Sequence, residues 1–351
     1  MRILGIESSC DETSAAIVDI DEAVLSVKKL QTSTSMGVQA TYGGVVPEVA
    51  ARKHVEFMIP LLQATLDAEP VDLIAVTASP GLMTSLAVGV QAAETLGLLW
   101  GKPVVGVNHL EGHILSPLIG AGRYPLQPQD FPVVVLTVSG GHTMLVLMKS
   151  VGEYQVLGST IDDAAGDAFD KVGKMLGLPY PGGPQVDKLA KVGNAKAFDF
   201  PRALMQHSHY NFSFSGLKTS VKYAIRDLLA KQGRTQATLT DTEKNDIAAS
   251  FQRAVVDALA RKTVRAAKMY KAKTIFSAGG VAANSELRER IEQESKKLGI
   301  RAFVVERAYC GDNAAMIAVA GYEQWKRQGQ KTETIVISPS SSPHGILRQP
   351  S

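Results

Sequence analysis

Phe131 to Leu147 reads FPVVVLTVSGGHTMLVL. Val133 to Val138 is an apolar run rich in β-branched residues, Ser139-Gly140-Gly141-His142 breaks it, and Met144 to Leu147 resumes it. The pattern predicts strand, small polar turn, strand. Two glycines allow the backbone φ > 0 and close approach to a ligand, and the amides of such a turn can converge on an anion. An ordinary hairpin with a Gly-Gly turn explains the same letters equally well. The start of the chain repeats the design: Ile3 to Ile6 is apolar, Glu7 to Ser14 is a polar turn, and Ala15 to Asp19 is apolar again. Two such units predict a duplicated α/β core, with one turn from each half facing a shared ligand cleft.

The rest of the chain fits an α/β class. Its 351 residues suggest about two domains, and an apolar fraction of 45% can build a core in each. The 37 Lys and Arg against 34 Asp and Glu leave a net charge of +3, which neither demands nor excludes a nucleic-acid partner. Two cysteines, Cys10 and Cys310, fit a reducing cytosol. The sequence shows neither a signal-peptide core nor an apolar run near the ~20 residues of a membrane span, so a cytoplasmic protein is expected.

Leu25 to Gln31 reads as a strand and Thr41 to Gly44 as a loop. A helix from Pro47 would turn Val55, Ile59, Leu62 and Leu66 inward, with Pro60 as a kink point. Strand Asp72 to Thr77, a helix bearing Leu82, Leu86, Val90 and Ala93, and strand Pro103 to Val107 make a βαβ unit. Ser116 to Phe131 reads as a linker. Beyond the central hairpin, Ser159 to Lys171 leads into a small-residue helix, and Gln185 to Val192 forms another. Phe198 to Ser215 is irregular. Thr240 and Glu243 form a capping box for a long helix with Ile247, Phe251, Val255 and Leu259 inward. Its basic end, Arg261 to Lys273, reads as a solvated face in preference to a phosphate contact. Strands at Thr274 to Phe276 and Ala302 to Val305 follow, with Asn284 and Asp312 as helix caps. The expected division is 1–115 as an N-terminal lobe, 116–131 as linker, 132–326 as a C-terminal lobe with a helical insertion at about 165–260, and 327–351 as a loose tail.

His109 and His113 lie at i and i+4, so a helix puts both on one face, able to share a metal. The zinc-protease pattern needs its glutamate directly after the first histidine. Here Glu111 stands one place further, about 100° round the helix, where that base is not wanted. Asp312 is a suitable third donor, although a plain N-cap explains it better by spacing. Ser277 to Asn284 is a glycine turn before a helix, able to receive a nucleotide on its amides. Asp162 and Asp163 suit an acidic helix start, Asp170 and Asp187 suit hydrogen bonds to a ligand, and Asp11 or Glu12 could orient a nucleophile.

Together these stretches resemble the TsaD family, also called Gcp or YgjD. The matching motifs are Gly5-Ile-Glu-Ser-Ser-Cys-Asp-Glu-Thr13, Tyr42-Gly-Gly-Val-Val-Pro-Glu48, His109-Leu-Glu-Gly-His113, Val138-Ser-Gly-Gly-His142, Ile161 to Lys171, Tyr180-Pro-Gly-Gly-Pro184, Phe212 to Lys218, Ala278 to Asn284 and Asp312 to Ile317. The resemblance implies the actin-like, Hsp70-like ATPase (ASKHA) fold with two duplicated lobes. It implies an acyltransferase that moves threonylcarbamoyl from threonylcarbamoyl-AMP to N6 of adenosine 37 in tRNAs reading codons that begin with A. It implies one divalent metal per subunit, Fe(2+) with Zn(2+) as the alternative, held by His109, His113 and Asp312. It implies adenylate binding by Thr137, Val138, Ser139, Gly140, Gly141, Asp170, Gly183, Asp187 and Asn284, and TsaB-type and TsaE-type protein partners. Asp11 and Glu12 are the expected catalytic carboxylates. The readings from other classes are a glycoprotease-type metalloprotease and an ASKHA small-molecule kinase or ATPase.

Overall fold

The computed structural model describes residues 1–21, 24–39, 46–120, 124–231, 233 and 239–339. The loop expected at Thr41 to Gly44 and the end of the tail, 340–351, lie outside them. The chain forms two compact units, one of Met1–Pro128, Val151–Tyr154 and Val305–Ser351, the other of Gln129–Ser150 and Gln155–Val304.

The first unit carries a five-stranded sheet of order β3-β2-β1-β4-β5. Its strands are β1 (Arg2–Glu7), β2 (Glu12–Asp21), β3 (Val24–Thr34), β4 (Leu73–Ser79) and β5 (Val104–Asn108). β1 pairs antiparallel with β2 and parallel with β4. Strand alternation divides its faces. Leu4 and Ile6 join Met58, Leu62, Val90 and Ala93 in one core, under α2 (Pro47–Thr65) and α3 (Met83–Trp100). Gly5 points the other way, where a Cβ would collide with the Ala314 carbonyl of α10 (Ala314–Arg327). Glycine there lets helix and sheet backbones meet.

α2 forms as expected and continues through Pro60, with Leu62 buried and Leu66 packed on the core as expected, but Val55 and Ile59 do not share that face. His54, Met58, Leu61 and Leu62 are buried, while Val55 and Ile59 are 63% and 65% exposed. The cause is His54: its Nδ1 lies 2.7 Å from Thr13 Oγ1 and its Nε2 3.0 Å from the Cys10 carbonyl. A polar residue with two buried partners sets the rotation that apolar counting assigned to its neighbour. The linker reading also changes. Ser116–Leu118 continues α4 (His109–Leu115) as a buried 3-10 turn within the first unit. The tail is docked where it was expected loose: Ile335 and Ile337 pack against the core, and the Ser338 amide donates to the Ala78 carbonyl at 3.0 Å.

The second unit repeats the sheet, in order β10-β9-β6-β7-β8. Its strands are β6 (Val133–Val138), β7 (Thr143–Ser150), β8 (Glu153–Ser159), β9 (Thr274–Ala278) and β10 (Arg301–Val304). Read from β8, the order is again third, second, first, fourth, fifth, with the first two antiparallel and the fourth and fifth parallel. This is the topological form of the duplication. Its core gathers α5 (Ala165–Met175), α6 (Gly182–Ala190), α7 (Ser215–Lys231), α8 (Asp241–Met269) and α9 (Ser285–Leu298). α8 starts with both bonds of the capping box and buries Ile247, Phe251, Val255 and Leu259. Asp162 and Asp163 do not cap α5, whose N-cap is Ala164. Asp162 instead accepts from the Phe214 and Ser215 amides and both serine hydroxyls, capping α7. The basic end of α8 is not wholly solvated. Lys262 is buried and donates to the Leu204 and Asn211 carbonyls, and Arg265 donates to those of His207, Ser208 and His209. Among the described residues no helix is long and apolar enough to cross a membrane.

Candidate metal centre and glycine turns

α4 begins where β5 ends because Asn108 caps it, its Oδ1 accepting from the Leu110 and Glu111 amides at 2.9 and 3.3 Å. Every residue of α4 is buried, and its two imidazoles meet edge to face with centroids 4.7 Å apart. Asp312 arrives from the segment before α10. The cap of α10 is Asn313, which accepts from the Met316 amide at 3.1 Å, so Asp312 does not take the capping role expected of it. Its Oδ1 lies 3.0 Å from His113 Nε2 and 3.6 Å from His109 Nε2. Donor atoms of the three residues all fall within 4.8 Å of one another.

Two imidazole nitrogens and a carboxylate oxygen suit a borderline divalent cation. The shell around them fits too. His109 Nδ1 lies 3.0 Å from Glu7 Oε2 and 3.2 Å from Ser9 Oγ, which fixes the ring with Nε2 toward Asp312. Glu7 is fully buried, and it also accepts from the Ser9 amide and from Thr77 Oγ1 at 2.5 and 2.6 Å. Burial alone would raise the Glu7 carboxyl, but His109 beside it, helped by Thr77, holds it below the ordinary value. Burial lowers His109, but Asp312 and Glu7 outweigh it and carry it up to about 9. His113 Nδ1 is buried with no hydrogen-bond partner among the described residues.

Glu12, at the start of β2, is pushed well up by burial and then by Asp312, Asp11 and Glu7. This surplus of acidic groups is what a cation would relieve. Asp11 stands beside it, its carbonyl accepting from the amide and hydroxyl of Ser35 at 2.9 and 3.0 Å. Glu111 faces elsewhere: its Oε1 accepts from Tyr154 Oη at 2.7 Å and Arg327 Nη2 at 2.8 Å. It is thus committed to a buried ion pair, in keeping with its displaced place in the motif.

The second unit holds the other predicted residues. β6 and β7 are joined by Ser139 to His142, with the Ser139 amide donating to the His142 carbonyl at 2.7 Å. Neither Gly140 nor Gly141 has the positive φ that the sequence suggested; a Cβ at either would meet nothing within 4 Å. Glycine here leaves open space beside the backbone. Gly279, at φ 89°, is the turn that needs its conformation, pressed against Val138. Thr137 Oγ1 is buried and has no partner among the described residues. Asp170 Oδ1 accepts from the Gly182 and Gly183 amides at 2.7 and 3.3 Å, and burial raises its carboxyl despite them. Asp187 Oδ1 accepts from the Ser285 amide and hydroxyl at 3.2 and 2.8 Å. Asn284 caps α9 through Oδ1 and donates to Gln252 Oε1 at 2.6 Å. So Asp170, Asp187 and Asn284 each hold a helix start.

Sequence reasoning missed Glu7 and Ser9, which support His109; the one available signal was their place in the first polar turn. It also read no helix at α7.

The family described as "TsaD: tRNA N6-adenosine threonylcarbamoyltransferase" matches residues 28–319. A Thermosipho africanus protein named tRNA N6-adenosine threonylcarbamoyltransferase is 45% identical over 346 residues, covering 97% of this chain and 99% of its own. One of the same name from Ralstonia pickettii is 46% identical over 331 residues, covering 92% and 90%. Among solved structures, HypF of T.kodakarensis matches at TM-score 0.56 and 15% identity, over 96% of this chain and 49% of that one. Component A of the (R)-2-hydroxyglutaryl-CoA dehydratase of Acidaminococcus fermentans matches at TM-score 0.51 and 15% identity, over 92% and 98%. At that identity the structural likeness speaks for the fold alone, the two-sheet α/β ASKHA fold.

Proposed function

This chain belongs to the TsaD family of tRNA N6-adenosine threonylcarbamoyltransferases, and on that premise we propose that it transfers threonylcarbamoyl from threonylcarbamoyl-AMP to N6 of adenosine 37 in tRNAs reading codons that begin with A. The observation that carries the reading is the convergence of His109, His113 and Asp312 within 4.8 Å, in a chain so similar to enzymes of that name. A glycoprotease is not favoured, because Glu111 is bound to Arg327 and Tyr154 and is not available as a base; a small-molecule kinase is not favoured, because the chain's relatives carry the transferase name over nearly its whole length.

His109 and His113 through Nε2, with Asp312 through a carboxylate oxygen, would hold one divalent cation, Fe(2+) in preference to Zn(2+). Such a cation, when bound, supplies Lewis-acid polarisation of a carbonyl. Thr137 to Gly141, Asp170, Gly183, Asp187 and Asn284 would hold the adenylate. A phosphate beside Gly140 and Gly141, where a Cβ would meet nothing within 4 Å, would face backbone amides able to steady charge on the departing AMP. The N6 amine forms the new C–N bond as the mixed-anhydride C–O bond breaks and a proton leaves the amine. Asp11 or Glu12, neighbours at the start of β2, orients that amine.

The remaining proposals are a cytoplasmic location and TsaB-type and TsaE-type partners. Val55 and Ile59 on α2, with Leu98 and Leu99 on α3, are exposed apolar side chains on two helices that pack together. A TsaB-type partner would cover them.

The deciding experiment is transfer in vitro. Purified chain with its partners, threonylcarbamoyl-AMP and unmodified tRNA should yield threonylcarbamoyladenosine by nucleoside mass spectrometry, and His109→Ala should yield none. Full transfer by a variant shown to be metal-free would reject the role given to the cation.

A further inference from the structure

A groove of about 600 Å³ lies in the second unit, lined by Lys171, Lys174 and Met175 of α5 and by Lys218, Thr219, Lys222 and Tyr223 of α7. Its four lysines fall into two pairs. Lys171 is held by Asp163 and Asp167 at 3.1 and 2.6 Å, and Lys218 by Asp163 at 2.6 Å. Those carboxylates fix the inner ammonium groups in place while offsetting part of their charge. Lys174 and Lys222 are exposed and form no ion pair with a carboxylate among the described residues. At the rim the Tyr223 ring is exposed, and the Arg226 guanidinium stacks on it at 4.8 Å from the centroid.

Helix periodicity accounts for the lining. Lys171 and Lys174 stand at i and i+3 on α5, and Lys218 and Lys222 at i and i+4 on α7, so each pair shares a face. Outside a ligand's presence such crowding costs electrostatic energy. The volume exceeds what one phosphate needs, and a cationic channel edged by a flat aromatic–guanidinium stack is what a looped single strand asks of a protein.

We infer that the α5–α7 groove binds the sugar–phosphate backbone of the tRNA substrate, Lys174 and Lys222 meeting phosphates and Tyr223 with Arg226 stacking an unpaired base. The inference rests on the transferase reading and adds to it a docking surface outside the metal and adenylate residues.

The test is fluorescence-anisotropy titration of unmodified tRNA transcript against the full chain with its partners, from 50 to 300 mM salt. Lys174→Ala with Lys222→Ala should reduce the slope of log K on log salt by about 1.4 to 1.8 and weaken binding on the order of tenfold. Lys→Arg at both positions should restore the wild-type slope. Tyr223→Ala should weaken binding a few-fold with the slope unchanged, because the lost contact is uncharged. Melting temperature and metal content serve as folding controls. An unchanged slope in the double Ala variant, beside a wild type that transfers normally, overturns the groove and leaves the transferase reading intact. Loss of an acidic protein partner with the tRNA slope intact overturns it equally. A wild type that neither binds tRNA nor transfers removes both.

Discussion

Asp312 and Asn313 are near-isosteres, and both residue types cap helices well. Sequence spacing favoured Asp312 as the cap, and nothing in the letters pointed to its neighbour. The structure gives the cap to Asn313, which also donates from Nδ2 to the Tyr309 and Gly311 carbonyls, and turns Asp312 toward the imidazoles. The two roles separate by mutation. Asn313→Ala should cost about 1 kcal/mol of stability in the metal-free chain. Asp312→Asn should leave the cap intact but weaken metal binding by more than the roughly 10- to 100-fold that loss of an outer partner costs, read by competition with a chelator. Glu7→Gln should weaken it by about 10- to 100-fold, since Glu7 orients His109 without meeting the cation. The histidine pair was legible because i, i+4 spacing is geometry written into the letters. Glu7 was not, because nothing in a single buried carboxylate announces which ring it will face.

At the scale of the element, α7 was the chief omission. Leu217, Val221, Ile225 and Leu229 are buried at helical spacing, so the periodicity was present; its start signal was hidden, because the cap, Asp162, lies far back in sequence. Asp162→Ala should cost about 1 to 2 kcal/mol in chemical denaturation. The irregular stretch before α7 has a comparable anchor in Lys262. Burial, then Arg265, lower its ammonium to about 8 from an ordinary 10.5. Between those values the unfolded chain binds more protons than the folded one, so stability should rise with pH from about 8 to 10.5. In Lys262→Met that rise should vanish, with stability lower throughout because two carbonyls lose their donor. Denaturation midpoints across the pH range check the sign. The face of α2 shows the opposite limit: a run of apolar letters could be aligned two ways, and His54 decided between them.

For the whole molecule, the duplicated core was readable from two strand–turn–strand stretches, but the fate of the tail was not. Ile335 reaches the space above Gly106, and Ser338 is bonded to β4. Truncation after residue 331 should lower the melting temperature by several degrees, as two partly buried isoleucines are lost. Chelation of the cation should also lower it, by mass action on the folded state. The repeat also has a bearing on stoichiometry. α4 follows the fifth strand of the first sheet, α10 follows the fifth strand of the second, and the two pack together in the first unit. One helix brings two imidazoles, and the threshold of its counterpart brings the carboxylate. A chain with a single repeat would own one part of this donor set and never the whole. A cation held by all three donors would therefore be one to two repeats, since neither repeat alone supplies the set.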